Sequence, residues 1–240
     1  MPRVSRAEAQ QHRQQVIDRT ARLIREKGAD QVSVPEAMAA AGLTHGGFYR
    51  HFSSKDDLIV QALRAAFTER REAMDRLADE ASANRSSDES GPEVRSGRAE
   101  FLTRYLSDLH RDHPGAGCAA AALAADAARA EPGAPIRTAF TAGLSDLVDG
   151  YRQLDARAAG TDGTVETDGT VGTDGTDSTV GTDSTAGTDG AAGTHEGDRG
   201  TALAELSTLV GAILLARASE DPELSREILA AARRHLDAPA

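Results

Sequence analysis

Two short stretches of this 240-residue chain hold side chains that can do chemistry. In the first, Thr44, His45 and Gly46 follow Gly42 and open a predicted helix running from His45 to about His51. Backbone N–H groups left free at a helix start donate to anionic oxygens, and polar side chains there reach base edges. Gly46 and Gly47 carry no side chain, so the backbone can approach a large partner closely. In the second stretch, His110 and His113 precede Cys118, which follows Gly117 at a predicted helix start. Three readings stand for it: a reactive thiolate stabilised by free N–H groups and by His110, Arg111 or His113; a buried inert cysteine; or a zinc site short of a fourth ligand. No nucleophile elbow, phosphate loop, catalytic carboxylate pair or zinc-protease string occurs, so no enzyme, cofactor or metal is expected.

The elements that must position these residues are helical. Few aromatic residues, many alanines and few β-branched runs exclude a sheet-rich fold. Val16, Ile17, Thr20, Ala21, Leu23 and Ile24 recur at helical spacing within Arg6 to Lys27, and Gly28 stands where a helix ends. Ser33 precedes Glu36 by three residues, a capping-box pattern with Pro35 in the first turn, so a short helix is expected over Val34 to Ala41. Gly42 breaks it and Thr44 caps the next. Ser53 or Ser54 caps a longer helix reaching about Leu77, with Leu58, Ile59, Ala62, Leu63, Ala66 and Phe67 as its buried stripe.

A loop is expected over Ser82 to Gly97, then helices over Arg98 to His110, Cys118 to Arg129 and Pro135 to Leu154. Residues Thr161 to Gly193 form a degenerate acidic hexad without aromatics, Lys or Arg, expected as a disordered insertion at about 160–199. Two amphipathic helices close the pattern at 201–218 and 222–236, the first with Leu203, Leu206, Val210, Ile213 and Leu214 assigned to one face.

The formal net charge of -11 speaks against a polyanionic partner until its distribution is read. Met1 to Lys55 holds nine Lys and Arg against five Asp and Glu, a local +4, and the remainder carries -15. Charge is segregated as it would be if one end met phosphate. One cysteine excludes an internal disulfide framework, no secretory signal pattern opens the sequence, and the longest apolar run, Leu209 to Ala216, is too short to span a bilayer. A cytoplasmic chain with no membrane partner is expected.

Helix, glycine turn, short helix is the helix-turn-helix arrangement, whose second helix enters the major groove. The string from Ser33 to Leu58, with its Gly-Leu-Thr-x-Gly-x-Phe-Tyr-x-His-Phe-x-x-Lys-x-x-Leu core, closely resembles the DNA-binding domain of TetR-family repressors. It departs from the family at Ala37-Met38, where many members carry a larger aliphatic and then Ala. The resemblance implies that Tyr49 and Lys55 contact phosphate beside Thr44, His45 and Gly46, and that Ser33 touches the backbone as well as capping. Arg50 reads either as a base reader or as a phosphate clamp, and His51 as a packed residue. Phe48, Phe52 and Leu58 read as core.

The string His110 to Cys118 and the later Leu209 to Ala218 resemble the LmrA/YxaF-like branch of that family. The expected fold is therefore all-α: a DNA-binding domain over 1–55 and a helical ligand-binding and dimerisation domain over 56–240. The resemblance implies a homodimer through the helices at 201–218 and 222–236, double-stranded palindromic operator DNA as partner, and a small-molecule inducer of unknown identity. Phe101, Tyr105, Leu109, Cys118, Leu123, Phe140, Leu144 and Tyr151 either line the inducer cavity or are ordinary core. Two alternatives remain open: a redox- or electrophile-sensing repressor acting through Cys118, and a DNA-binding protein without an effector.

Overall fold

The computed structural model describes residues 5–87, 96–156 and 189–238, and among these every regular element is helical. The elements are α1 (Arg6–Lys27), α2 (Val34–Ala40), a 3-10 helix (His45–Arg50), α3 (Lys55–Ser87), α4 (Gly97–Tyr105), α5 (Asp108–Asp112), a 3-10 turn (Pro114–Ala116), α6 (Ala119–Arg129), α7 (Pro135–Ala156), α8 (Asp189–Ala218) and α9 (Pro222–Asp237). The acidic hexads up to residue 188, and residues 88–95 of the expected loop, lie outside the described residues.

Local chemistry sets these boundaries. Ser5 and Glu8 exchange side-chain and backbone bonds in a capping box that starts α1, and Gly28, at φ +88°, ends it. Gly42, at φ +70°, makes the turn after α2. The hydroxyl of Ser54 accepts the Asp57 N–H at 3.0 Å, opening α3.

The long α3 is the spine of the molecule, packing most extensively along α7 and then along α1. Its stripe of Leu58, Ile59, Ala62, Leu63, Ala66 and Phe67 is buried, as its spacing predicts. Small residues on α7 let the two helices approach. A Cβ at Gly143 would fall 2.2 Å from the Phe67 ring, and one at Gly150 2.7 Å from Cδ of Arg71. Phe67 also meets Phe140 edge to face at 5.6 Å.

Several expected boundaries differ from those observed. α3 continues ten residues past Leu77, to Ser87. The helix expected over Arg98 to His110 breaks at Leu106, and Ser107 caps a separate α5 through the His110 N–H at 3.2 Å. α8 begins at Asp189, inside the stretch expected as linker. The single apolar face assigned to 201–218 is in fact two. Leu206, Leu209 and Ile213 enter the chain's own core, while Leu203, Leu214 and Leu215 stand exposed. Within α8, Arg199–Ala218 contains an 18-residue window of mean hydropathy 1.4, long and apolar enough to cross a membrane, which the short Leu209–Ala216 run does not suggest. Leucine and alanine interspersed with Gly, Ser and Thr raise the average without forming a continuous run, and the helix packs along α9, α7 and α6.

Candidate nucleic-acid interface

The interface begins with an anchor. Phe48 is fully buried and stacks on Phe52 at 5.5 Å, fixing the 3-10 helix on α2 and the start of α3. The residues around that anchor face solvent: Ser33, Thr44, His45, Gly46, Tyr49 and Arg50 are all exposed. Tyr49 is the extreme case, a large aromatic at 77% exposure, held edge-on to Phe48 at 5.1 Å. Its apolar ring is thus positioned by the core while its hydroxyl points to whatever lies outside.

Thr44 stands in the cap position with extended backbone, but its hydroxyl makes no capping hydrogen bond, contrary to expectation. Two glycines at the start of the segment disfavour an α-helix, and the tighter 3-10 form leaves the threonine hydroxyl unused by its own helix. Ser33 does cap α2, accepting the Glu36 N–H at 3.4 Å, but the expected capping box is not closed there because the Glu36 carboxylate pairs with Lys27 instead. Lys55, at the first turn of α3, is half-buried and donates from Nζ to the Asp30 carbonyl at 3.0 Å.

Arg13, which sequence reading passed over, braces this unit. Its Nε donates to the His51 carbonyl at 3.2 Å, Nη2 reaches Gln61 Oε1, and the guanidinium lies 5.3 Å from the Phe52 ring centroid. Nothing in a single sequence pairs residues 38 apart. His51 is indeed partly packed. Burial pushes its imidazole below the ordinary range, and His12, Arg13 and Arg50 push it the same way, so this edge of the domain carries positive potential.

Two further contacts tie α1 to the rest of the chain. The almost fully buried Arg25 of α1 donates from Nε to the Gly115 carbonyl at 2.8 Å and from Nη1 to Glu69 of α3 at 2.7 Å. At the end of α1, the Ala29 N–H donates to Asp126 Oδ2 of α6 at 2.8 Å. A Cβ at Gly115 would overlap the Glu26 side chain, so the 114–116 turn lies directly against α1.

The residues proposed for an inducer cavity are not brought to one surface. Phe101, Tyr105, Cys118 and Leu123 are buried, Phe140 and Leu144 are packed partly buried against the core, and Tyr151 bonds Glu205 at 2.7 Å. Leu109 is corrected outright: at 71% exposure it lies on α5, turned outward by the break at Leu106. Of the set, Phe101 and Tyr105 line a cleft of about 200 Å³ between α3 and α4.

The second chemical stretch forms a tight internal knot. His110 Nδ1 lies 2.7 Å from the Tyr105 carbonyl, and Nε2 accepts the Cys118 N–H at 3.1 Å. That accepting role requires the neutral ring with its proton on Nδ1, and burial lowers the His110 pKa to about 4. Cys118 is fully buried, and His113 turns away to the Leu109 carbonyl. Among the described residues no group of three His, Cys, Asp or Glu is placed to hold a metal.

Residues 16–62 match the family described as bacterial regulatory proteins, tetR family. Over 61 residues the chain is 41% identical to the HTH-type transcriptional regulator AcrR of Shigella flexneri, a match spanning 25% of this chain and 28% of that relative. The likeness in fold is broader. The reduced form of E. coli NemR superposes with a TM-score of 0.62 at 15% identity, over 94% of this chain and 96% of that one. A TetR-family regulator from Agrobacterium tumefaciens gives 0.59 at 17% identity, over 95% and 96%.

Proposed function

We infer, from the premise that residues 16–62 make this chain a TetR-family regulator, that it is a one-component repressor. As a homodimer it binds palindromic operator DNA in the cytoplasm and is released by a small-molecule inducer. The observation that carries the DNA half is the exposed row of Thr44, His45, Gly46, Tyr49 and Arg50 over the buried Phe48 anchor. Such a segment offers base-reading side chains and phosphate donors on a rigid support. Two copies about 34–36 Å apart would read successive major grooves of one duplex face.

Lys55 is assigned to a phosphate, exchanging the Asp30 carbonyl for a stronger charged acceptor, and His45 to a base edge. The test selects an operator from random DNA with the purified protein, then measures two variants on it. Lys55→Ala should weaken all sequences alike and reduce the salt slope by about 1, whereas His45→Ala should change base preference. If both variants bind the selected operator like the parent, the assignment fails. An effector-independent architectural protein would instead yield no tight palindromic site.

Full burial of Cys118 argues against the thiol-sensor reading, since a sulfur with no exposed surface cannot be attacked without prior opening. The placement in the LmrA/YxaF-like branch rests on the strings at 110–118 and 209–218 alone.

A further inference from the structure

The edge that Arg13 braces gathers basic groups from two elements. His12 and Arg13 come from α1, Arg50 ends the 3-10 helix, and His51 follows it directly. Arg13 fixes their geometry, with Nε donating to the His51 carbonyl at 3.2 Å and the guanidinium 5.3 Å from the ring centroid of the buried Phe52. The His51 imidazole lies 6.3 Å from that same ring. Arg50 is exposed and both histidines are half-buried, so this edge continues the exposed row from Thr44 to Arg50.

The carboxylates around this edge are committed elsewhere. On α1, Glu8 is held by the Ser5 N–H at 2.7 Å and by the Ser5 side chain before it feels His12. On α3, Asp57 is held by the Ser53 N–H at 2.9 Å and by Gln61 before it feels Arg13. Among the described residues neither His12 nor His51 forms an ion pair. Burial, and then the charges of His12, Arg13 and Arg50, hold His51 below its ordinary range, so the free protein keeps a cationic edge with one charge withheld. An anion seated there reverses the repulsion and makes proton uptake favourable.

We propose that His12 and His51, with Arg50, form a proton-gated site for a backbone phosphate of the operator, so that the chain takes up protons as it binds DNA. The site deepens the DNA-binding reading above and rests on it. The phosphodiester stays anionic throughout the neutral range, and the protons pass from the buffer to the imidazole rings. A neutral ring offers the phosphate a weak contact, and a charged ring donates a stronger, charge-assisted one. Affinity therefore rises as the pH falls, and levels off once both rings are charged in the free chain as well.

The test titrates the full-length protein with its selected operator at constant ionic strength between about pH 8 and about pH 6. Calorimetry in two buffers of different ionisation enthalpy counts the protons. The parent should bind at least about tenfold more tightly at the acid end and take up about half a proton or more per chain near neutrality. The His12→Gln, His51→Gln double variant should keep no more than about a threefold rise and lose most of the uptake. His235→Gln, at an exposed position on α9, should keep the parent profile. A flat profile in the parent, or the parent's profile and proton count in the double variant, overturns the site. If circular dichroism shows the double variant unfolded, His12→Gln alone decides, and an unchanged proton count in it overturns the site. Binding of no duplex at any pH overturns the repressor reading together with the site, whereas tight operator binding without proton uptake overturns the site alone.

Discussion

His110 holds two backbone groups at once, the Tyr105 carbonyl at the end of α4 and the Cys118 N–H at the start of α6. Burial opposes the charged imidazole, and Arg70 and Arg217 push the same way against the Tyr105 carbonyl, so its pKa falls to about 4 from an ordinary 6.5 and the ring stays in the neutral form that can accept the second bond. The unfolded chain therefore binds this proton more readily than the folded one. The stability His110 contributes is complete above about pH 6.5 and is lost as the pH falls through about 4. Denaturant midpoints measured across that interval should drop steeply for the parent and less steeply for His110→Gln, by up to about 3 kcal/mol at the limit. Parallel curves would mean that another group governs the acid side. The knot was half legible in the sequence. His110 and Cys118 stood close enough to be considered together, but as a sensor or a zinc site, because spacing alone does not reveal that the partner of His110 is a backbone N–H. By contrast Thr44, His45, Gly46, Tyr49 and Arg50 stand in a string specific enough to single them out one by one, and all of them are exposed.

At the scale of elements, the helices were visible wherever the apolar period ran unbroken, as in α1 and the first half of α3. They were misjudged where a local hydrogen bond outweighed periodicity. The Arg98 to His110 stripe continues through Leu109, yet Ser107 captures the His110 N–H and starts a new helix, so Leu109 turns to solvent. The 3-10 form of the His45–Arg50 segment follows from the same competition, with two glycines weakening the α option. Arg13, Arg25 and Asp126 were invisible for another reason. Their partners lie 38, 90 and 97 residues away, and each forms a bond between elements rather than within one. The contact of α3 with α7 carries a prediction of its own. Gly143→Ala improves helix propensity by about 1 kcal/mol but drives a methyl to 2.2 Å from the Phe67 ring, a collision the packed core cannot absorb. A net loss of about 1–3 kcal/mol should appear in thermal or denaturant unfolding. A gain in stability would mean that α3 and α7 are further apart than the structure places them.

At the scale of the whole molecule, one apolar cluster runs from Val16 of α1 through α3 and α7 to Leu236 of α9, so the end that carries the exposed Thr44–Arg50 row and the far end share a core. Outside that core, among the described residues, remains an apolar surface on α8 and α9 that no other element covers. Leu203, Leu214 and Leu215 of α8 and Leu224 of α9 are 43%, 48%, 60% and 46% exposed, on the pair of helices assigned to a homodimer. The acidic charge of residues 56–240 would keep such surfaces apart unless apolar burial prevails, and a second copy supplies a face of the same kind. Leu214→Glu with Leu215→Glu places two carboxylates there without touching Leu209 or Ile213, so helical content and unfolding temperature of the monomer should hold. Sedimentation should then report half the parent mass. Operator affinity should fall by about a hundredfold or more, because each half-site must be bound without the partner's contribution. An unchanged mass would assign these leucines to another role and leave the two-groove reading without its geometry. An unchanged operator affinity in a proven monomer would instead place all the binding energy in one reading unit.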